Sequence, residues 1–98
     1  MENNQVKSVK DLLLEYKERH GVRTCPKASK EEQETLISFD PITQEWSIYT
    51  TVPSMIREIV KENYLTSIHE VYYSGKGGTV ITSLEGTLYR EPSLYSTK

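Results

Sequence analysis

The chain has 98 residues, 36% hydrophobic and 27% charged, with a mean hydropathy of −0.58. That is enough for one domain with a thin two-layer core, and no apolar run approaches the roughly 20 residues of a membrane span. The net charge is −2, spread over mixed-sign segments, which leaves no basic stripe for a phosphate backbone and no dense acidic face of the kind a DNA mimic needs.

A polar, acidic start at Met1–Asn4 predicts no secretory signal, and the single cysteine, Cys25, fits a reducing, cytoplasmic setting. The first predicted element is a helix over about residues 8–20. Val9, Leu12, Leu13 and Tyr16 recur at helical spacing, Ser8 and Asp11 form an approximate capping box, and Gly21 ends the element. Glu15 is placed to pair with Arg19 four residues on. The apolar stripe must be buried either beside a second helix or in a homodimer. Residues 21–34 read as a connector. Pro26 forbids helix, Glu31, Glu32 and Glu34 cluster, and Ser29 with Glu32 caps one short turn in what is otherwise a mobile loop.

From residue 35 the periodicity becomes that of strands. Leu36–Phe39 is β-prone, Asp40-Pro41 supplies turn chemistry, and Glu45–Thr50 alternates, with Trp46, Ile48 and Thr50 on one face and Glu45, Ser47 and Tyr49 on the other. Val52, Met55, Ile56, Ile59 and Val60 then define a second helix over 52–63, with Pro53 in its first turn and Asn63 as its left-handed stop. Thr66–Tyr73 and Thr79–Leu84 are further strands around the loop Ser74–Gly78. Glu85-Gly86 reads as a turn or bulge before a last strand segment, Thr87–Arg90, and residues 92–98 as an edge strand or frayed tail. The predicted fold is α+β. It comprises an N-terminal helix and a hairpin–helix–hairpin core over 35–91, with two to three strands after the second helix, in a two-layer sandwich.

The run Asp40-Pro41-x-Thr43-x-Glu45-Trp46-x-Ile48-Tyr49-Thr50-x-Val52-Pro53-x-x-Ile56-Arg57, with Gly78–Ser83 behind it, resembles a hairpin–helix signature of small uncharacterised proteins from phages and other mobile elements. The likeness covers roughly residues 36–84. It implies a phage or prophage source and the same fold, and it carries over no catalytic residue.

Chemistry-bearing patterns are few. Cys25, His20 and His69 fall short of the about four close-spaced ligands of a structural zinc site, so neither metal nor cofactor is expected. Cys25 lies between the cations Arg23 and Lys27, yet a catalytic thiolate also needs a placed base. Gly75-Lys76-Gly77-Gly78 is followed by a strand where a phosphate loop needs a helix. No catalytic residue is assigned, and the expected activity is non-enzymatic. The remaining signal is aromatic: seven tyrosines, most of them in the β half. Rigid, amphipathic tyrosines on a sheet make good contact surface. Tyr49, Tyr73, Glu45 and the helix-borne Arg57 are therefore the candidate partner-binding residues. The expected role is regulation by binding a host or phage protein, for instance to inhibit a defence component or other host factor. The alternative is a nucleic-acid-binding module using helix 52–63 and the following hairpin.

Overall fold

The computed structural model describes residues 7–75 and 77–91. The predicted tail at 92–98 and Lys76 of the glycine-rich loop lie outside the described residues. Helix α1, Val9–His20, forms where the apolar stripe predicts it, with Ser8 Oγ accepting from Asp11 N at 3.1 Å. Gly21, at φ 77°, closes the helix by donating to Lys17 O at 2.8 Å. Glu15 pairs with Lys7, on the N-terminal side of the helix, in place of the anticipated Arg19.

The connector is better anchored than its composition suggests. Cys25 N donates to Tyr73 O and Tyr73 N donates to Arg23 O, both at 2.9 Å, so that Thr24 makes a parallel bridge to Tyr73. A loop with no apolar face is held here by borrowing the backbone groups of a sheet edge, a contact invisible to side-chain patterning. The capped turn is present as a single 3₁₀ turn, Lys30–Glu32, where Ser29 N donates to Glu32 Oε1 at 3.3 Å.

Strands β1, Thr35–Asp40, and β2, Glu45–Thr50, form the predicted hairpin, in register from Asp40↔Glu45 to Thr35↔Thr50. Asp40 builds the turn: its Oδ1 accepts from Ile42 N at 2.9 Å and its carbonyl from Gln44 N at 2.6 Å. Helix α2, Pro53–Glu62, begins one residue inside the predicted start, with Val52 as its cap. Asn63 ends it in the left-handed region (φ 55°, ψ 53°), and its Oδ1 also accepts from Val9 N at 2.9 Å. One side chain thereby stops α2 and satisfies an orphan donor at the start of α1.

Two strands complete the sheet, β3 (Leu65–Tyr73) and β4 (Ile81–Leu88). Of the two to three further strands predicted, the described residues hold two, because β4 runs straight through Glu85-Gly86. Gly86 is not a turn residue. The bulge half of the expectation is met on the neighbouring strand, where the pairing of β3 shifts between Ile68 and Glu70 opposite Gly86 and Glu85. Gly86 lies between Ile48 on β2 and Ile68 on β3, and a Cβ there would sit 2.4 Å from the carbonyl oxygen of Ser67. Glycine is present because two strands approach closely, not because the chain reverses.

All neighbours are antiparallel and the order is β1-β2-β4-β3. The fold is α+β, with one sheet and both helices on the same side of it. Val9 and Tyr16 of α1 and Ile56 and Ile59 of α2 join Ile48, Leu65, Val71, Tyr73, Leu84 and Leu88 in one buried cluster. The α1 stripe is thus spent inside the chain, and α1 packs on β3 and beside α2. Within that stripe Val9 and Tyr16 are buried, and Leu12 and Leu13 are half-buried. The helices pack mainly on β3 and β4, and on the helix side of β1 Ile37 and Phe39 stay 45% and 43% exposed. Phe39 of β1 therefore packs instead on Trp46, with ring centroids 4.7 Å apart.

Candidate interaction surfaces

The predicted strand parity sets the first surface. Trp46, Ile48 and Thr50 face the helices, which turns Glu45, Ser47 and Tyr49 to the open face of the sheet. Tyr49 is half-buried there, opposite Leu36 on one side and Glu85 on the other. It lines a cleft of about 480 Å³ between the sheet and the connector, shared with Pro26, Lys27, Glu32, Tyr72 and Ser83. Thr82 Oγ1 ties the connector down by donating to Cys25 O at 3.2 Å.

Tyr72 is the second aromatic of this cleft. Its hydroxyl oxygen accepts from Arg23 Nη1 at 3.3 Å, and the guanidinium carbon lies 5.7 Å from its ring centroid. Glu70 Oε2 stands 3.6 Å from the same Nη1. The hydrogen bond to Tyr72 foremost, then nearby charge, raises the pKa of Arg23 above its ordinary value. The cleft therefore presents two tyrosines, Lys27 and the carboxylates of Glu32 and Glu70, with the Arg23 guanidinium held against Tyr72 beside it.

Of the adjacent pair Tyr72 and Tyr73, the sequence reading selects Tyr73 as a candidate, and its position corrects that choice. It is 3% exposed, on the opposite face, among the core residues below α1. Lys17 Nζ lies 5.0 Å from its ring centroid, and burial raises the pKa of its phenol. Alternation requires one of two adjacent tyrosines to point inward. Which one does so is set by the pairing with β4, where Tyr72 opposes Ser83 on the open side and Val71 opposes Leu84 on the core side. Glu45 is exposed at the turn end of β2, on the same face as Tyr49 but outside the cleft lining.

Arg57 belongs to a different surface. It is exposed on α2, beside a groove of about 710 Å³ bounded by the start of α1, α2 and the segment Thr79–Ile81. Lys10, Arg57 and Lys61 surround an apolar floor that includes Ile56, Val60 and Val80, and among the described residues no carboxylate lines it. Glu58 and Glu62, which share the outer side of the helix with Arg57 in the sequence pattern, fall outside this lining, and Glu58 accepts from Tyr64 OH at 3.4 Å. Lys10 was missed, since only the packing of α1 beside α2 brings it to Arg57 and Lys61. The four candidates thus do not form one site. Tyr49 and Glu45 share the open face, Arg57 sits on the helix side, and Tyr73 is interior.

The metal-type side chains are dispersed. His20 packs on Tyr16 at the end of α1 (centroids 4.3 Å apart), and His69 Nε2 hydrogen-bonds Thr87 Oγ1 at 2.8 Å. Among the described residues no three His, Cys, Asp or Glu converge in a way that could hold a metal ion. Cys25 is half-buried, its thiol donates to Pro26 O at 3.4 Å, and no histidine lines either cavity that it borders. No described helix is long and apolar enough to cross a membrane. Comparison with protein-family models, with curated proteins and with solved structures yields no match for this chain, so the functional reading rests on the residues themselves.

Proposed function

We propose that this protein is a non-enzymatic interaction module that binds a protein partner through the open face of its sheet. The observation that carries the reading is the one-sided helix layer. It leaves Tyr49 and Tyr72 on the uncovered face, flanking a cleft whose polar groups are held in place by Arg23 and the connector. Aromatic anchors in a pre-formed depression with a charged rim are the usual centre of a protein interface. The resemblance of residues 40–57 to phage and mobile-element proteins supports a phage or prophage source. A host factor or defence component, met in the bacterial cytoplasm, is the partner class that fits such a source.

The test compares the parent with Tyr49→Ala and Tyr72→Ala in affinity capture and thermal melting. Loss of the same captured protein from both variants, with melting temperatures held near the parent value, supports the reading. Undiminished capture by both variants refutes it. A large drop in melting temperature for Tyr49→Ala would make that tyrosine a packing residue and remove it from the site.

A second reading has its own observation, the groove beside Arg57 whose lining, among the described residues, holds three cations and no carboxylate. This is the geometry by which a nucleic-acid-binding module would use α2 and the β3–β4 hairpin. Binding to random duplex or single strands that weakens steeply with salt favours it, and salt-independent or absent binding disposes of it.

A further inference from the structure

Strand β1 ends the sheet, and its outer edge has no partner among the described residues. The direction of its backbone groups follows from one hydrogen bond. Thr51 N donates to Glu34 O at 3.0 Å, which makes Glu34 and Thr51 a hydrogen-bonded pair of the β1–β2 ladder. Such pairs alternate with non-bonded ones in an antiparallel ladder. The N–H and C=O groups of Leu36, Ser38 and Asp40 therefore turn toward β2, while those of Thr35, Ile37 and Phe39 turn outward. The edge offers an unused donor and acceptor at every second residue.

Several of the usual protections of such an edge are missing. The strand contains no lysine, no proline and no bulge, and its pairing with β2 is continuous over all six residues. Apolar side chains are exposed on both faces of the strand: Leu36 is 57% exposed on one, Ile37 45% and Phe39 43% on the other, with Ile42 at 90% in the adjoining turn. What the segment does have is one sign of charge. From Glu31 to Ile56 the chain contains no lysine, arginine or histidine, while Glu31, Glu32, Glu34, Asp40 and Glu45 surround the strand.

That charge selects among possible occupants. A second copy pairing with this edge must match outward-turned residues with outward-turned residues. The antiparallel register that uses all three is centred on Ile37, with Thr35 against Phe39 at either side. It also sets Glu34 of each copy directly opposite Asp40 of the other, twice, and like charges at opposed positions of a ladder are unfavourable. A foreign strand with basic residues at its ends meets the same positions with opposite charge.

We propose that the free edge of β1 takes up, as a fifth strand, an extended segment of a partner protein that alternates apolar residues and is flanked by lysine or arginine. Main-chain bonds at Thr35, Ile37 and Phe39 supply affinity, and the acidic flanks supply choice of partner. This edge is separate from the Tyr49 cleft, so the proposal stands independently of the cleft being the partner site.

The probe is a synthetic peptide of alternating valine and threonine between paired lysines, with a glutamate-flanked version as control. Binding and amide hydrogen exchange are followed by NMR on the full chain. The expected result is that the lysine peptide binds and slows exchange at Thr35, Ile37 and Phe39, while the glutamate peptide does not. Ile37→Pro removes one outward donor and leaves the β1–β2 ladder intact; it is expected to abolish binding. Should that variant not fold, Glu31→Lys with Glu34→Lys keeps the whole edge. It is expected to weaken the lysine peptide about tenfold, the order of effect of reversing two rim charges. Tyr49→Ala is expected to leave peptide binding unchanged. Equal binding of both peptides, or binding of neither, overturns the proposal. So does protection of the three amides in the free protein: concentration-dependent protection would name a second copy as the occupant, and concentration-independent protection the chain itself.

Discussion

Gly86→Ala adds one methyl group at the most crowded glycine of the sheet. The new Cβ would stand 2.4 Å from the backbone oxygen of Ser67 and 2.9 Å from Leu65 Cδ1. The leucine tip can rotate aside. The oxygen cannot, because it belongs to β3 and is fixed by the pairing of Ser67 with Thr87 and of Ile68 with Gly86. Relief therefore requires β3 and β4 to separate locally, in a sheet whose core face carries the fully buried Leu65 and Leu84. Overpacking of this kind costs about 1–3 kcal/mol. For a domain of this size each kcal/mol lowers the melting temperature by roughly 4–8 °C, which gives a drop on the order of 4–24 °C. Gly77→Ala is the control, since its nearest neighbours are Thr79 side-chain atoms at 3.9 Å. With no clash to relieve and fewer unfolded conformations available, it should melt within a few degrees of the parent (about 0.4–1 kcal/mol at most). Thermal unfolding followed by far-UV circular dichroism measures both. If Gly86→Ala melts with Gly77→Ala, β3 and β4 are not in contact at this residue and a turn at Glu85-Gly86 is the better description.

Three further outcomes follow from the packing. Ile59→Ala empties a fully buried position under α2 and should cost about 2–5 kcal/mol in chemical denaturation; a loss below about 1 kcal/mol would mean that the helix faces the other way. Asn63→Ala removes the acceptor for Val9 N and leaves a Cβ residue in the left-handed region, for an expected loss of about 1–3 kcal/mol. Asn63→Gly, which keeps the backbone conformation, should recover part of it in the same denaturation experiment. Burial raises the phenol pKa of Tyr73 from its ordinary value of 10.0. The folded state then holds the proton that the unfolded chain gives up. The Tyr73 contribution to stability is thus constant below pH 10.0 and falls as the pH rises through the raised folded value. Tyr73→Phe should flatten this alkaline limb in denaturation midpoints measured across that range, and an unchanged slope would show that the phenol titrates normally.

The local elements were legible because each is encoded by near neighbours. The stripe of Val52, Met55, Ile56, Ile59 and Val60 specifies a helix wherever the chain places it, Asn63 stops that helix through its own backbone preference, and alternation from Glu45 to Thr50 assigns Tyr49 to one face and Trp46 to the other. Ser8 and Asp40 act within three or four residues of themselves, and their roles at a cap and a turn were readable for that reason. Everything that depends on a second element had to wait for the fold. Tyr72 and Tyr73 are equivalent in sequence, and the register with β4 alone turns one outward and buries the other. Gly86 carries the same turn signal as any glycine after an acidic residue, and the approach of Ser67 O from another strand makes it a strand residue instead. The apolar stripe of α1 suits a dimer as well as a core, and the position of β3 is what draws Val9 and Tyr16 into the core. Lys10, Arg57 and Lys61 become one lining, and β1 becomes a free edge, only through the order β1-β2-β4-β3 and a helix layer too narrow to cover all four strands. Short-range periodicity is a property of the chain, whereas proximity across a sheet is set by packing, and both candidate surfaces are made of the second kind of relation.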